Sequence, residues 1–249
     1  MLKTRVIPCL TIKDLRLVKS IQFKEHRNIG SYIAAVRVFN ARDVDEMIVL
    51  DLDAAKTGIK PWLLEELTKE CFMPLTIGGG IKTLQDIRTL LKLGADKVSI
   101  NTAALERPEF ISEAAEKFGN QCIVISIDAK KVNDHYEVFK NGGMIGVGRK
   151  PEEWAKEAEK LGAGEILITS IDEDGRMNGY DLDLVKSVTR AVKIPVIACG
   201  GAGNLDDFVK VVKEAEASAV AAGSIFQYTQ TTPLNIKEYL AKFGVETRV

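Results

Sequence analysis

Residues 195–203 read PVIACGGAG. A short apolar run, long enough for one buried strand, breaks into glycines. Leu205, Phe208, Val209 and Val212 follow on one face of a helix, with Asn204 as its N-cap. Strand, glycine turn and helix N-terminus together can hold an anion. Small residues let backbone N–H groups approach a phosphate, and the helix dipole favours its charge. The same glycines also suit any tight βα turn, so this stretch alone leaves both readings open.

The stretch has an echo. Residues 74–81 read PLTIGGGI, and setting Pro74 on Pro195 places Gly79 and Gly80 on Gly200 and Gly201. ADKVSINTA (95–103) then aligns with ASAVAAGSI (217–225), and DEMIVLDLD (45–53) with GEILITSID (164–172). CLTIKD (9–14) aligns with SIDAKK (126–131), which sets Thr11 on Asp128. The offset stays near half the chain length. One half-unit is written twice, over approximately 1–120 and 121–249.

The pattern predicts strands at 6–10, 47–52, 75–77, 97–100, 122–127, 166–169, 196–198 and 219–222. It predicts helices at 33–39, 62–68, 84–93, 108–118, 151–161, 182–192, 205–212 and 234–243. Residues 13–31 form a polar segment too long for an ordinary βα connection, the kind that is functional or mobile. KKVNDHYEVFKNGGM (130–144) alternates around a turn and reads as a β-hairpin. The strands are near-continuous apolar runs, as parallel strands covered on both faces require. The fold class is α/β: a single (β/α)8 TIM barrel domain over 1–249, built from two duplicated half-barrels. An open doubly wound sheet is the alternative, and it explains the twofold glycine pattern less well.

Bulk properties narrow the function. Hydrophobic residues make up 46% of the 249, and mean hydropathy is close to zero, as in a packed, soluble protein. Lys and Arg number 34 against 35 Asp and Glu, so no global field invites nucleic acid. No apolar run nears the roughly 20 residues that span a bilayer, which argues against a membrane role. The basic start, MLKTRVIPCL, lacks the long apolar region and cleavage site of a secretory signal. Cys9, Cys71, Cys122 and Cys199 lack paired spacing and read as reduced residues of a cytoplasmic protein. His26 and His135 lack metal-ligand spacing. Neither a metal nor a cofactor is expected.

In a barrel the functional residues sit at strand C-terminal ends and in the loops beyond. Those positions hold Thr11, Asp51, Gly79, Gly80, Asn101, Thr102, Asp128, Thr169, Asp174, Gly175, Gly200, Gly201, Gly223 and Ser224. Gly79 and Gly80 with Asn101 and Thr102 make one small-residue cradle. Gly200 and Gly201 with Gly223 and Ser224 make another, on the opposite side of the mouth. Two cradles fit a substrate carrying two phosphates, although ordinary βα turns have the same composition. Asp128, ending an apolar strand, reads as a general acid or base, or as a structural carboxylate bonded to loop N–H groups. Lys19, read alone, is a solvated surface lysine. At the opposite face Arg5, Glu46, Lys97 and Glu165 begin four strands. They can form a closed ion-pair ring, but read alone they fit a solvated rim better, where such charges are common and pairs contribute little.

These residues resemble the cyclase subunit of imidazole glycerol phosphate synthase (HisF) over essentially the whole chain. The matching motifs are Arg5 with Cys9, Lys13-Asp14, Lys19, IGGGI (77–81), ADKVSINTAA (95–104), SIDAK (126–130), the GAGEIL, TSID and DG pieces of 162–175, NGYD (178–181) and GGAG (200–203). The resemblance implies a bisphosphorylated substrate held by Lys19 and the two cradles. It also implies a glutaminase subunit docked beneath the barrel in a heterodimer, facing Asp96. Ammonia would then pass along the barrel axis through a gate of Arg5, Glu46, Lys97 and Glu165. One departure stands out. The family cyclises with two aspartates, of which the second matches Asp128 and the first falls on Thr11. A hydroxyl cannot exchange a proton near neutral pH as a carboxylate can. The family's glycine after the Lys-Asp pair is Leu15 here, and 22–32 has diverged as well.

The combination is similar to HisF-like paralogues of surface-polysaccharide clusters, which supply ammonia to a third enzyme that turns a sugar N-acetyl group into an acetamidino group. Three functions follow as expectations: an ammonia-conducting subunit with impaired cyclisation, a genuine histidine-pathway cyclase in which Asp14 or Asp51 replaces the lost carboxylate, and a non-catalytic barrel that regulates the glutaminase.

Overall fold

The structure, a computed structural model, describes residues 3–42 and 44–248; the first two residues of the basic N-terminal stretch lie outside it. Its strands are β1 (Arg5–Lys13), β2 (Arg16–Ile21), β3 (Lys24–Gly30), β4 (Met47–Asp51), β5 (Leu75–Gly78), β6 (Lys97–Ile100), β7 (Ile123–Val132), β8 (His135–Lys140), β9 (Ile145–Gly146), β10 (Glu165–Ser170), β11 (Val196–Cys199) and β12 (Ala219–Ala222). Eight of these pair in parallel in the order β10-β11-β12-β1-β4-β5-β6-β7, and β7 pairs with β10 to close the ring. The closed order is that of a (β/α)8 barrel and removes the open-sheet alternative.

Closure divides the apolar residues in two. The larger core lies between the strands and the surrounding helices. It includes Val6, Met47, Leu75, Ile125, Ile166 and Val220. A smaller cluster fills the barrel interior: Ile7, Cys9, Ile48, Val124, Leu167, Ile197, Ala219 and Ala221. Period-two alternation sorts the residues of each strand between these two cores. That is why the strands read as continuous apolar runs.

The halves repeat in detail. Helix Leu84–Lys92 begins with a capping box between Thr83 and Asp86, and helix Leu205–Lys213 with one between Asn204 and Asp207. Each box satisfies two of the N–H groups that a helix start leaves without partners. Asn204 is thus the N-cap read from the sequence. Short helices Thr102–Glu106 and Ser224–Tyr228 follow β6 and β12 directly, at matching positions.

Residues 13–31 correct the sequence reading. The chain there is an antiparallel hairpin, not an irregular loop: β2 pairs with the upper end of β1, and β3 with β2. It is the first-half counterpart of β8 and β9, which extend β7 as the alternation of 130–144 predicted. Two residues turn the chain from β1 into β2, Asp14 at φ 47° and Leu15 at φ 55°. Gln22 and Phe23, at φ 53° and 61°, make the second turn. Such turns favour Asn-Gly or Asp-Gly, so neither pair signals a hairpin in sequence. Leu15 is strained in this left-handed conformation and its side chain is half-exposed. Leu15→Gly is therefore expected to stabilise the chain by about 1 kcal/mol, read as a higher urea midpoint at unchanged slope.

No helix among the described residues is long and apolar enough to cross a membrane. The four cysteines are free; Cys9 is buried, while Cys71, Cys122 and Cys199 are partly buried.

Candidate functional site

At the barrel floor, Arg5, Glu46, Lys97 and Glu165 meet. Arg5 Nη1 lies 2.6 Å from Glu46 Oε2, and Nη2 lies 2.9 Å from Glu165 Oε1. Lys97 Nζ lies 3.0 Å from a carboxylate oxygen of each glutamate. The four bonds close a cycle of alternating charge. Each residue stands at or just before the start of a barrel strand, facing the interior. Ile7, Ile48 and Leu167, two residues on from Arg5, Glu46 and Glu165, line the interior cluster above. The pairing is largely desolvated, with side-chain exposures from 3% at Glu46 to 22% at Arg5. Burial alone would lower the Arg5 guanidinium, but Glu165 and Glu46 together hold it above its ordinary value. A solvated rim, the competing sequence reading, does not describe this geometry.

At the opposite end, β7 delivers Asp128 to the mouth. Asn101 Nδ2 donates to Asp128 Oδ2 at 3.3 Å, and Ser126 Oγ donates to Oδ1 at 3.4 Å. Protein atoms crowd this carboxyl, and desolvation pushes it up to about 7; the Ser126 bond pulls it down, and Asp174 raises it further. Asp174, in the loop after β10, is raised to about 6, again mainly by desolvation, with Lys19 lowering it. A carboxyl that titrates near neutrality can take and return a proton at physiological pH.

Across the mouth, Thr11 occupies the place matched to Asp128. Its hydroxyl donates to the Val18 carbonyl at 2.6 Å, in the β1–β2 pairing. Thr11 is therefore a structural donor. The two carboxylates the sequence offered in its place, Asp51 and Asp14, stand as follows. Asp51 is paired with Lys60 Nζ at 2.6 Å and accepts from the Asp53 N–H at 3.0 Å. Asp14 is exposed at the hairpin turn.

Lys19 is not a surface lysine. It is buried, and its Nζ donates to the Cys9 carbonyl at 3.1 Å. It sits against Gly223, where a Cβ would collide with its ammonium group. The matched positions of the other half repeat this with different chemistry. Asn101, matched to Gly223, donates its amide to the carbonyl of Ser126, matched to Cys9, at 3.1 Å. One cradle thus holds an ammonium where the other holds a neutral amide. Gly223→Ala is expected to expel the ammonium and cost about 1.5–3 kcal/mol, measured by urea unfolding beside Lys19→Met.

The hairpin that carries Lys19 is tied across the mouth. The Gln22 N–H donates to the Asp174 carbonyl at 2.8 Å, and Gln22 Nε2 to the Asp172 carbonyl at 2.9 Å. Gly175 lies against the Ser20 carbonyl, so closely that a Cβ would collide with it. Gly79 and Gly80 stand equally close to the carbonyls of Asp51 and Ala54, and Gly201 to that of Gly179. With Gly200 they adopt φ between 71° and 109°. Packing and backbone conformation therefore already demand these glycines. Thr169 lines the interior beside Asp128 in register. Thr102 accepts from the Asn141 N–H at 3.1 Å, and Ser224 opens the helix beyond Gly223.

Comparison with known proteins shows the family. A family model described as histidine biosynthesis protein matches residues 5–232. The chain is 50% identical over 250 aligned positions to a protein of Campylobacter jejuni subsp. jejuni serotype O:2, provisionally named imidazole glycerol phosphate synthase subunit hisF2, with both chains covered in full. This chain belongs to the histidine biosynthesis protein family.

Two partners of these candidate residues were passed over by motif reading. Thr76 Oγ1 donates to Glu46 Oε1 at 2.8 Å inside the floor ring. Asp45, one residue before Glu46, accepts from the Val6 N–H at 3.0 Å. Only the inward-facing phase of β5 could have pointed to Thr76. Asp45 had no signal beyond its position beside a ring residue. Among the described residues no cluster of His, Cys, Asp and Glu could hold a metal ion.

Proposed function

We propose that this chain is the barrel subunit of a glutamine amidotransferase. A glutaminase docks beneath it, facing Asp96, and the two form a heterodimer. Ammonia released there enters through the ring of Arg5, Glu46, Lys97 and Glu165 and leaves at the mouth. The observation that carries this reading is the closed, desolvated ring beneath an apolar interior. A barrel that needed only a core would gain as much from well-packed apolar residues at the floor.

The mouth favours an acceptor outside the barrel. Thr11 leaves the position matched to Asp128 without the carboxylate that the family's cyclisation places there, and Asp174, near-neutral as well, lies on a loop and not at that strand end. Cyclase activity is impaired, and the ammonia serves a third enzyme that builds an acetamidino group on a surface-polysaccharide sugar. The two cradles, with Lys19 at one and Asn101 at the other, bind a phosphorylated small molecule. The complex works in the cytoplasm. A second reading, the cyclase of histidine biosynthesis, is favoured by the near-neutral Asp128 and by the name of the Campylobacter relative.

The test supplies glutamine labelled with ¹⁵N at the side-chain amide, the glutaminase encoded with this chain, and excess unlabelled ammonium. Label in the sugar acceptor, undiluted by bulk ammonium, is the expected result. Label in an imidazole product would favour the second reading. Full dilution by bulk ammonium would overturn conduction in both.

A further inference from the structure

Two thiols meet inside the barrel, just beneath the mouth. Alternate strands of such a barrel supply the residues of each interior layer. Followed round the ring, the strand registers bring Cys9 of β1, Gly78 of β5, Ser126 of β7 and Cys199 of β11 to one level. The Ser126 hydroxyl is bonded to Asp128. Cys9 and Cys199 face each other, because β12 between them presents only the small Ala221 and Gly223.

The two thiols differ. Hydrogen bonding to Cys199 holds Cys9 below its ordinary value against the effect of burial, and Lys19 lowers it further. Cys199, the other member of that bond, is pushed well up by it and by burial. Cys9 is therefore the readier thiolate, and Cys199 keeps its proton. The Lys19 ammonium stands over Cys9 and donates to its carbonyl at 3.1 Å. Cys199 is partly exposed, so small solutes reach the pair from its side; Cys9 is 6% exposed. Cys71 differs again. Burial pushes it up to about 11, and its sulfur lies 3.0 Å from Met73 Sδ.

The pair cannot close into a disulfide. β1 and β11 are second neighbours, and two strand spacings of ~4.8 Å put the Cα atoms roughly 9 Å apart. A disulfide spans at most about 7 Å between Cα atoms.

We propose that Cys9 is a site of oxidation by hydroperoxides and that Cys199 serves it as proton donor. The Cys9 thiolate attacks the outer peroxide oxygen. An S–O bond forms as the O–O bond breaks, so the sulfur is oxidised to a sulfenic acid and the peroxide is reduced. The departing hydroxide or alkoxide takes the Cys199 proton and leaves as water or an alcohol. The negative charge then rests on Cys199, where Lys19 also favours it. Because the strands hold the two sulfurs apart, the sulfenic acid persists instead of condensing to a disulfide. The site stands on this layer alone; that an added oxygen on the barrel axis obstructs ammonia rests on the function proposed above.

The experiment treats the intact chain with hydrogen peroxide, unfolds it in dimedone, which captures sulfenic acids, and maps the adducts by mass spectrometry. Cys9 is expected to gain the adduct at least about tenfold faster than Cys71 or Cys122. Cys199→Ala should slow that gain about tenfold, and Cys199→Ser, which keeps a hydroxyl donor, should restore part of it. Urea midpoints check that both variants are folded. Equal rates on all four cysteines, a Cys9–Cys199 disulfide, or a folded Cys199→Ala chain as reactive as wild type would overturn the proposal. Transfer of glutamine nitrogen, followed with the glutaminase present, separates the two ideas. Cys9 oxidised with transfer undiminished upholds the site and overturns the obstruction. Transfer absent before peroxide is added overturns the proposed function and leaves the adduct at Cys9 as the test of the site.

Discussion

Thr11→Asp is expected to raise ammonium-dependent cyclisation of the family's bisphosphate substrate by about 10²–10⁴-fold, the usual contribution of a positioned acid/base group. In the unmodified chain the Thr11 hydroxyl donates a hydrogen bond to the Val18 carbonyl and offers no group that titrates near pH 7. An aspartate there would sit on the strand end matched to Asp128, across the mouth from it. The two halves would then present one carboxylate each. The substitution gives up one hydrogen bond to a backbone carbonyl, worth about 1 kcal/mol, which a packed barrel tolerates. A second substitution, Asp128→Asn in the Thr11→Asp background, should remove the gain. Product formation followed by absorbance with free ammonium checks both. Wild-type turnover equal to that of Thr11→Asp would mean that a different residue already supplies the proton transfer, and the reading of an impaired mouth would fail.

How far the sequence reached depends on what each feature is made of. The barrel was legible because its signal is repeated. Eight apolar runs and an internal alignment that set Gly79 on Gly200 leave few topologies. The ring was legible as four charges at strand starts, but their contact was not, since bonds between Arg5, Glu46 and Glu165 span 41 and 160 residues. The first hairpin was missed because its turns rest on Asp14-Leu15 and Gln22-Phe23, residues that rarely take left-handed backbone. Lys19 looked solvated because its burial comes from that hairpin folding over Gly223. The glycines point the other way. Their sequence pattern suggests phosphate cradles, yet at Gly79, Gly80 and Gly201 the close approach of neighbouring carbonyls already excludes a side chain. The case for anion binding therefore rests on Lys19, Asn101 and Thr102 rather than on glycine content.

Asp128→Asn should reveal what the mouth costs the fold, and the sign depends on pH. Desolvation raises the Asp128 carboxyl from an ordinary value near 3.8 to about 7. Below pH 4 the group is protonated in both the folded and the unfolded chain, so it leaves stability unchanged. Between pH 4 and 7 the unfolded chain releases the proton while the folded chain keeps it, so stability falls as pH rises. Above pH 7 the loss is complete, with a ceiling of about 4 kcal/mol. Solvent at the half-buried carboxyl and relaxation of the loops reduce that to roughly 1–3 kcal/mol. An asparagine keeps the shape, can accept from Asn101 and bears no charge. The variant should therefore match wild type at pH 4 and exceed it by that margin at pH 8, as measured by urea midpoints across the range. Equal gains at both pH values would mean that packing, not the buried charge, sets the difference. The expected pattern would mean that this chain carries a destabilising carboxylate at the barrel mouth, at the position matched to Thr11. Such a cost would support the proposed acid/base role of Asp128.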